Sequence, residues 1–361
     1  MPAIPGDLYI SVDFGSSPTK DDGTRPYTGT NPQWNNFSIW LDGGPSQTET
    51  RVGAPTTVKV RVSNKGQQPV PAVKVDTYVM NPFVGIAKPN QAIERLSGSV
   101  GSVAPGSGST SLTDAHVVTC KIQDPQQGPV PWIPTQAELS ATINGEGHLC
   151  VIANVYADAD GHQLLDAEDF KVVDDQHQGQ RNIALLPMAL RAEEAQEFLI
   201  MPAPEEEETL VQFEPVEAEL VFGAGERLLL LSHKDFAADR ETGALAVSVD
   251  GELFPLFLSD NELRTRLFVG DYGELGLEDG DDGNGDDDKG GYGHGRGHGR
   301  GHGHGHGRGH RLPGFHDPLP SRILLESQEE RIGAVHAFDI VQRDRRGRAL
   351  GALRVLTVAT G

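Results

Sequence analysis

The clearest regularity in the chain is an alternation of apolar and polar residues. Val58, Val60 and Val62 alternate with Thr57, Lys59, Arg61 and Ser63, the period-two pattern of a strand with one buried face. Asn64, Lys65 and Gly66 follow as a turn. Val73, Val75 and Thr77 repeat the alternation, and further strands are predicted at His116 to Ile122, Glu138 to Ile143, His148 to Tyr156 and Arg181 to Leu186. The residues before Thr50 are rich in Pro, Gly, Asn and Asp, and read as an extended lead-in with short edge strands at Asp7 to Val12 and Asn36 to Leu41. The Gly/Ser stretch Ser97 to Ser111 reads as a surface loop.

Between Pro187 and Glu208 the composition shifts to Ala, Glu and Pro, which predicts a connection with one helical turn at Arg191 to Glu197. A second strand series follows: Thr209 to Phe213, Arg227 to Leu231, Leu245 to Val249, Leu253 to Leu258, Arg266 to Val269, Ser321 to Leu325, Val335 to Arg343 and Leu350 to Val358. Many short strands without long helices predict an all-β chain of sandwiches. At 361 residues the chain is long enough for two cores. The expected organisation is a lead-in over 1–50, a first sandwich over 51–190, an acidic connection over 191–208 and a second sandwich over 209–361. A long structureless Asp/Gly and His/Gly insertion, 271–320, is expected within the second.

The segments DLYISVDFG near the start, TVKVRVSNKG at Thr57 to Gly66, GHLCVIANVYADADG at Gly147 to Gly161 and QRNIAL at Gln180 to Leu185 resemble bacterial immunoglobulin-like proteins related to the CARDB-type adhesion module. AVHAFDIVQRDRRGRALGALRVLTVAT is similar to the closing hairpin of a second such module. The resemblance implies two tandem immunoglobulin-like antiparallel β-sandwiches with a binding, adhesive or assembly role. The inter-sheet disulfide of antibody domains is absent, since no cysteine stands in the early strand Val58 to Val62 to pair with Cys150.

Charge narrows the partners. A formal net charge of -22 opposes nucleic acid and anionic membranes, which require clustered cations. No apolar run approaches the length of a membrane span. Cys120 and Cys150 are the only cysteines and are expected as free thiols. The start shows no basic region followed by an apolar one, so a cytoplasmic location is expected, with extracellular or particle-associated placement by nonclassical export as the alternative.

The stretch Gly290 to Arg311 alternates glycine with histidine or arginine. Seven of the 13 histidines, His294, His298, His302, His304, His306, His310 and His316, lie in the insertion. Neutral imidazoles on a flexible spacer are suited to Zn, Ni or Cu, whereas the bland reading is compositional drift in a solvated loop. Nine carboxylates between Asp271 and Asp288 precede the run and give its arginines a local counter-charge. Asp282, Asn284 and Asp286 begin like a calcium loop, but the glycine and closing glutamate of an EF-hand are missing.

Catalytic motifs are fragmentary. Ser17 to Lys20 fits S-x-x-K and Ser259 to Asn261 reads SDN, without the K-T-G that completes a β-lactamase set. His148 and Cys150, two apart on one predicted strand, would share a face. His336 reads as a core or edge residue. The sequence therefore predicts a non-enzymatic structural or interaction module with a protein partner or self-assembly and no required cofactor. Metal binding by the His/Gly run is the alternative, and a hydrolase with an unrecognised site ranks last.

Overall fold

The computed structural model describes residues 6–12, 21–27, 32–106, 116–140, 147–159, 161–203, 208–216, 224–261, 263–270, 273–275, 308–313 and 315–361. The chain is almost entirely β. Its first half carries β1 (Ile39–Asp42), β2 (Thr57–Arg61), β3 (Val70–Met80), β4 (Phe83–Val84), β5 (Glu94–Val103), β6 (Val117–Cys120), the helix α1 (Gln136–Ser140), β7 (Cys150–Ala157) and β8 (Gln178–Arg181). One sheet runs β1-β2-β6 and another β8-β7-β3-β5, with antiparallel neighbours. The alternating valines of β2, β3 and β7 close a core between them, with Ile39, Leu96 and Val118.

The second half carries β9 (Ile183–Met188), β10 (Glu193–Ile200), β11 (Glu208–Pro215), the helix α2 (Ala224–Ser232), β12 (Phe236–Ala238), β13 (Leu245–Val249), β14 (Glu252–Pro255), β15 (Arg264–Val269), β16 (Arg308–Pro313), β17 (Leu319–Glu326), β18 (Ala334–Arg343) and β19 (Ala349–Ala359). The larger sheet runs β9-β19-β18-β11-β16, with β9 parallel to β19, and its partner contains β15-β17-β10-β4. Phe198, Val211, Ile323, Ile340 and Val355 pack between the two. The opposite face of the larger sheet is covered by α2 and the small sheet β12-β13-β14 through Leu229, Leu230, Phe236 and Val247. A sheet covered on both faces needs apolar residues at successive positions, and most of β19 is buried accordingly.

Four local expectations are corrected. Glu138 to Ile143, expected as a strand, begins with α1, because Thr135 and Glu138 form a reciprocal capping box: the Glu138 N–H donates to Thr135 Oγ1 at 3.2 Å and the Thr135 N–H to Glu138 Oε2 at 2.6 Å. Arg227 to Leu231 is likewise helical within α2, since leucines, not branched at Cβ, favour a helix once one face is covered. Arg191 to Glu197 is not a helical turn but leads into β10, whose Gln196, Phe198 and Ile200 alternate inward. Ser97 to Ser111 is not simply a loop, because its first residues lie in β5. Glycine hides that strand from the side-chain pattern for a packing reason: a Cβ at Gly98 would lie 2.5 Å from the Thr119 carbonyl oxygen.

The expected boundaries also shift. Ile183–Met188, placed by sequence in the first sandwich, pairs with β19 in the larger sheet of the second half. The connection expected over 191–208 contains β10, which pairs with β17 and takes β4 as a parallel neighbour. Asn182 Nδ2 donates to the Ala352 carbonyl at 2.8 Å, and Gln342 Nε2 to the Met201 carbonyl at 3.1 Å. Trp34 packs on Val341 and Ala352. The halves are thus joined by paired strands as well as by chain continuity.

The insertion leaves after β15 and returns at β17, and these strands are hydrogen-bonded neighbours from Arg264↔Glu326 to Val269↔Ser321. Within the expected 271–320, Gly273–Leu275 pairs with β15, and β16 pairs with β11 from Glu208↔Pro313 to Phe213↔Arg308. The exposed edge of β11 explains the second pairing, because its backbone donors and acceptors require partners. The segment expected to be structureless therefore contributes strands at both ends.

Candidate functional site

Among the described residues, an open groove of about 720 Å³ lies where the two sheets of the first half meet. Strand register builds its floor. Val73, Val75 and Val79 point into the core while Lys74 and Asp76 take the other face of β3. Across on β5, Ser99 lies opposite Lys74 and Ser97 opposite Asp76. Asn154 of β7 pairs with Asp76 on the other side, and Tyr156 pairs with Lys74. The wall comes from the second sheet: Ser97 and Lys121 exchange backbone hydrogen bonds of 2.8 and 3.0 Å, bringing Thr119, Lys121 and Gln123 alongside.

Asp76 organises this floor. Its side chain is 5% exposed and accepts from Arg95 Nη2 at 2.8 Å, Ser97 Oγ at 2.6 Å and the Tyr156 hydroxyl at 3.2 Å. Such bonds to a charged acceptor contribute about 1.5–3 kcal/mol each. Arg95 also stands 5.1 Å over the Tyr78 ring. Burial and the neighbouring Asp76 push the Tyr156 phenol up to about 12, so it stays protonated as a donor. Burial opposes the Arg95 charge, but the hydrogen bond to Asp76 together with the neighbouring Tyr78, Asp76 and Asp166 outweighs it and raises its pKa. The floor is a fixed array of charges and hydrogen-bond donors; Lys74 is paired with Asp158 and Arg95 with Asp76 and Asp166, while Lys121 has no acidic partner among the described residues.

The residues singled out in the sequence do not assemble elsewhere into a catalytic or metal centre among the described residues. His148 lies on the short strand Gly147–His148 opposite Glu49, whereas Cys150 opens β7 opposite Met80, so the two belong to different sheets. Burial raises the Cys150 thiol, and its Sγ accepts from Gln180 at 3.6 Å. Cys120 is also buried, raised and free. The SDN fragment ties to a buried glutamate: the Ser259 hydroxyl and Asn261 amide donate to Glu329, whose Oε1 lies 3.1 Å from His336 Nε2. Glutamate stands between serine and histidine, the wrong order for histidine to take the serine proton. Ser17 and Lys20 lie outside the described residues.

Of the expected metal ligands, His294, His298, His302, His304 and His306 lie outside the described residues, as do Asp282, Asn284 and Asp286. His310 lies in β16 and His316 is exposed. Among the described residues there is no group of three or more His, Cys, Asp or Glu placed to hold a metal ion. No helix among them is long and apolar enough to cross a membrane.

His148 gives a pH prediction. Burial, then the charge of nearby His233, lowers its pKa to about 4, so its 3.5 Å approach to Glu49 is not an ion pair at neutral pH. The unfolded chain takes up this proton near pH 6.5 while the folded chain resists it. The resulting loss of stability develops as pH falls from about 6.5 towards 4, and is on the order of 3 kcal/mol. Urea midpoints measured across that range should fall less steeply in His148→Gln than in the parent; identical slopes would refute the assignment.

No family model matches the chain, and no curated protein matches it. Solved structures with a weak likeness include the enterotoxigenic E. coli CFA/I adhesin CfaE in a mutant form. That likeness has a TM-score of 0.24 and 6% identity, covering 99% of this chain and 93% of that one. Another is CfaE described as the adhesive subunit of CFA/I fimbria of enterotoxigenic Escherichia coli, with a TM-score of 0.21 and 6% identity over 99% of this chain and 94% of that one. Likenesses at these scores carry no argument about fold or function.

Proposed function

We propose that this chain is a non-enzymatic interaction module, built from two tandem immunoglobulin-like sandwiches and working in adhesion or assembly. The carrying observation is the groove around Asp76: β3, β5, β6 and β7 line it with polar side chains, Lys121 and Gln123 stand beside them, and Asp76 holds Arg95, Ser97 and Tyr156 in fixed positions. Preorganised polar groups suit recognition, since binding then costs little ordering. The strand orders β8-β7-β3-β5 and β9-β19-β18-β11 support the tandem reading, and the CARDB-type resemblance is proposed on the same grounds. The test is an array of immobilised peptides and glycans, probed with the intact chain and with Lys121→Glu. Saturable binding lost in the variant supports the module; no groove-dependent binding sinks it.

A second reading, capture of Zn, Ni or Cu by the His/Gly run, is supported by the seven histidines of the insertion, six of them in the run, and by the strands that bracket it. Because β16 begins at Arg308, the informative deletion removes 290–307 and keeps that strand. Calorimetric titration with each metal should lose its signal in the deletion while the melting transition persists. Equal titrations of the two chains would end the metal reading.

A further inference from the structure

Resting on the reading of the groove as a recognition surface, we propose that it binds an acidic saccharide, with a sugar carboxylate seated against Lys121 and Arg95. Charge is the first argument. Lys121 has no acidic partner among the described residues, whereas Lys74 is paired with the exposed Asp158 at 2.6 Å and Arg95 with Asp76 at 2.8 Å and the exposed Asp166. The second arginine contact, Arg95 Nη1 to Asp166, is 3.3 Å long and Asp166 is 76% exposed; Lys74 and Asp158 are 41% and 70% exposed. Exposed pairs of this kind contribute about 0–1 kcal/mol. A ligand carboxylate can replace them and gain charge-assisted hydrogen bonds at a partly desolvated floor. Asp76 keeps Arg95 Nη2, so the ligand carboxylate meets Arg95 through Nη1, in place of Asp166.

The second argument concerns the body of the ligand. Ser99, Thr119, Gln123 and Gln163 line the groove beside the cations, with Pro129 the apolar contribution. Hydroxyl and amide groups in this density suit a polyhydroxylated ligand and not an apolar chain. An extended peptide would ordinarily add to a strand edge, but the edge of β5 is closed at Ser97 by its two backbone bonds to Lys121, and Gln123 Nε2 donates to the Ser97 carbonyl as well. The volume of about 720 Å³ falls in the range of small-ligand sites, which fits a short oligosaccharide. The strongly negative remainder of the chain opposes a long polyanion.

The test is calorimetric titration of the intact chain with trigalacturonate, with maltotriose as the neutral counterpart and oligoglutamate as the acidic peptide. Binding of trigalacturonate but not maltotriose, weakened at least about tenfold by Lys121→Glu and by raising NaCl from about 0.05 to 0.5 M, is the expected result. Far-ultraviolet circular dichroism and melting of Lys121→Glu should match the parent, which separates lost contacts from lost folding. Equal affinity of parent and variant for trigalacturonate overturns the site. Oligoglutamate binding as tightly as trigalacturonate overturns the saccharide assignment in favour of a peptide. If trigalacturonate fails while the array still shows groove-dependent binding of another class, the ligand assignment falls and the interaction module stands; loss of both removes the module itself.

Discussion

Arg354→Met should lower the free energy of unfolding by about 3–5 kcal/mol, the range for breaking a buried ion pair from one side. Arg354 is 1% exposed, and its Nε and Nη2 donate to the two oxygens of Asp339 at 2.8 and 2.9 Å. The pair bridges β18 and β19 at directly opposed positions, on the face of the sheet away from Leu353 and Val355, which pack in the inter-sheet core. Removing the guanidinium leaves a carboxylate with little access to water. The double substitution Arg354→Met with Asp339→Leu should recover most of the loss, because the desolvation cost disappears with the charge. Urea unfolding followed by circular dichroism measures both. A single-variant loss below about 1 kcal/mol, the ordinary contribution of a surface pair, would mean that the pair is effectively solvated.

The second large effect is steric. A Cβ on Gly351 would lie 2.1 Å from the Gly85 carbonyl oxygen and 2.9 Å from the Gly85 nitrogen. Neither atom belongs to a flexible side chain, so the backbones must separate. Gly85 follows β4, the strand through which the first half enters the sheet of β10. Gly351→Val should therefore destabilise the chain by at least about 1–3 kcal/mol and weaken the coupling of the halves. Trp34, Trp40 and Trp132, the three tryptophans, all lie in the first half. Their fluorescence should then report a different urea midpoint from circular dichroism, whereas the parent gives coincident curves. Coincident, unshifted transitions in the variant would show that β4 does not hold the halves together.

Much of the fold was legible because one physical signal dominated. Where one strand face meets a core and the other meets water, alternation survives in the sequence, as in Val58, Val60 and Val62 of β2. The signal failed where a second constraint replaced it. In β5 the approach of Thr119 requires Gly98, and the small residues read as a loop. In α2 a short leucine run carried no period long enough to separate strand from helix, and the layer covering β19 decided it. The helix α1 was legible in principle, since the spacing of Thr135 and Glu138 is a capping box.

The candidate groove was illegible for a different reason. Lys74 and Asp76 of β3, Arg95 of β5, Tyr156 of β7 and Lys121 carry no motif; only the pairing of β3 with β5 and β7, and the Ser97–Lys121 bridge, bring them together. By contrast, the His/Gly run is conspicuous because its composition is local. By itself the sequence determined the all-β character, the position of most strands and the net charge, since burial of alternate side chains and ionisation are properties of residues and near neighbours. Tertiary structure alone decided that β9 joins the sheet of β19, that β4 ties the halves together and that a polar groove forms beside Lys121, because non-local backbone pairing leaves no periodic trace in any one segment.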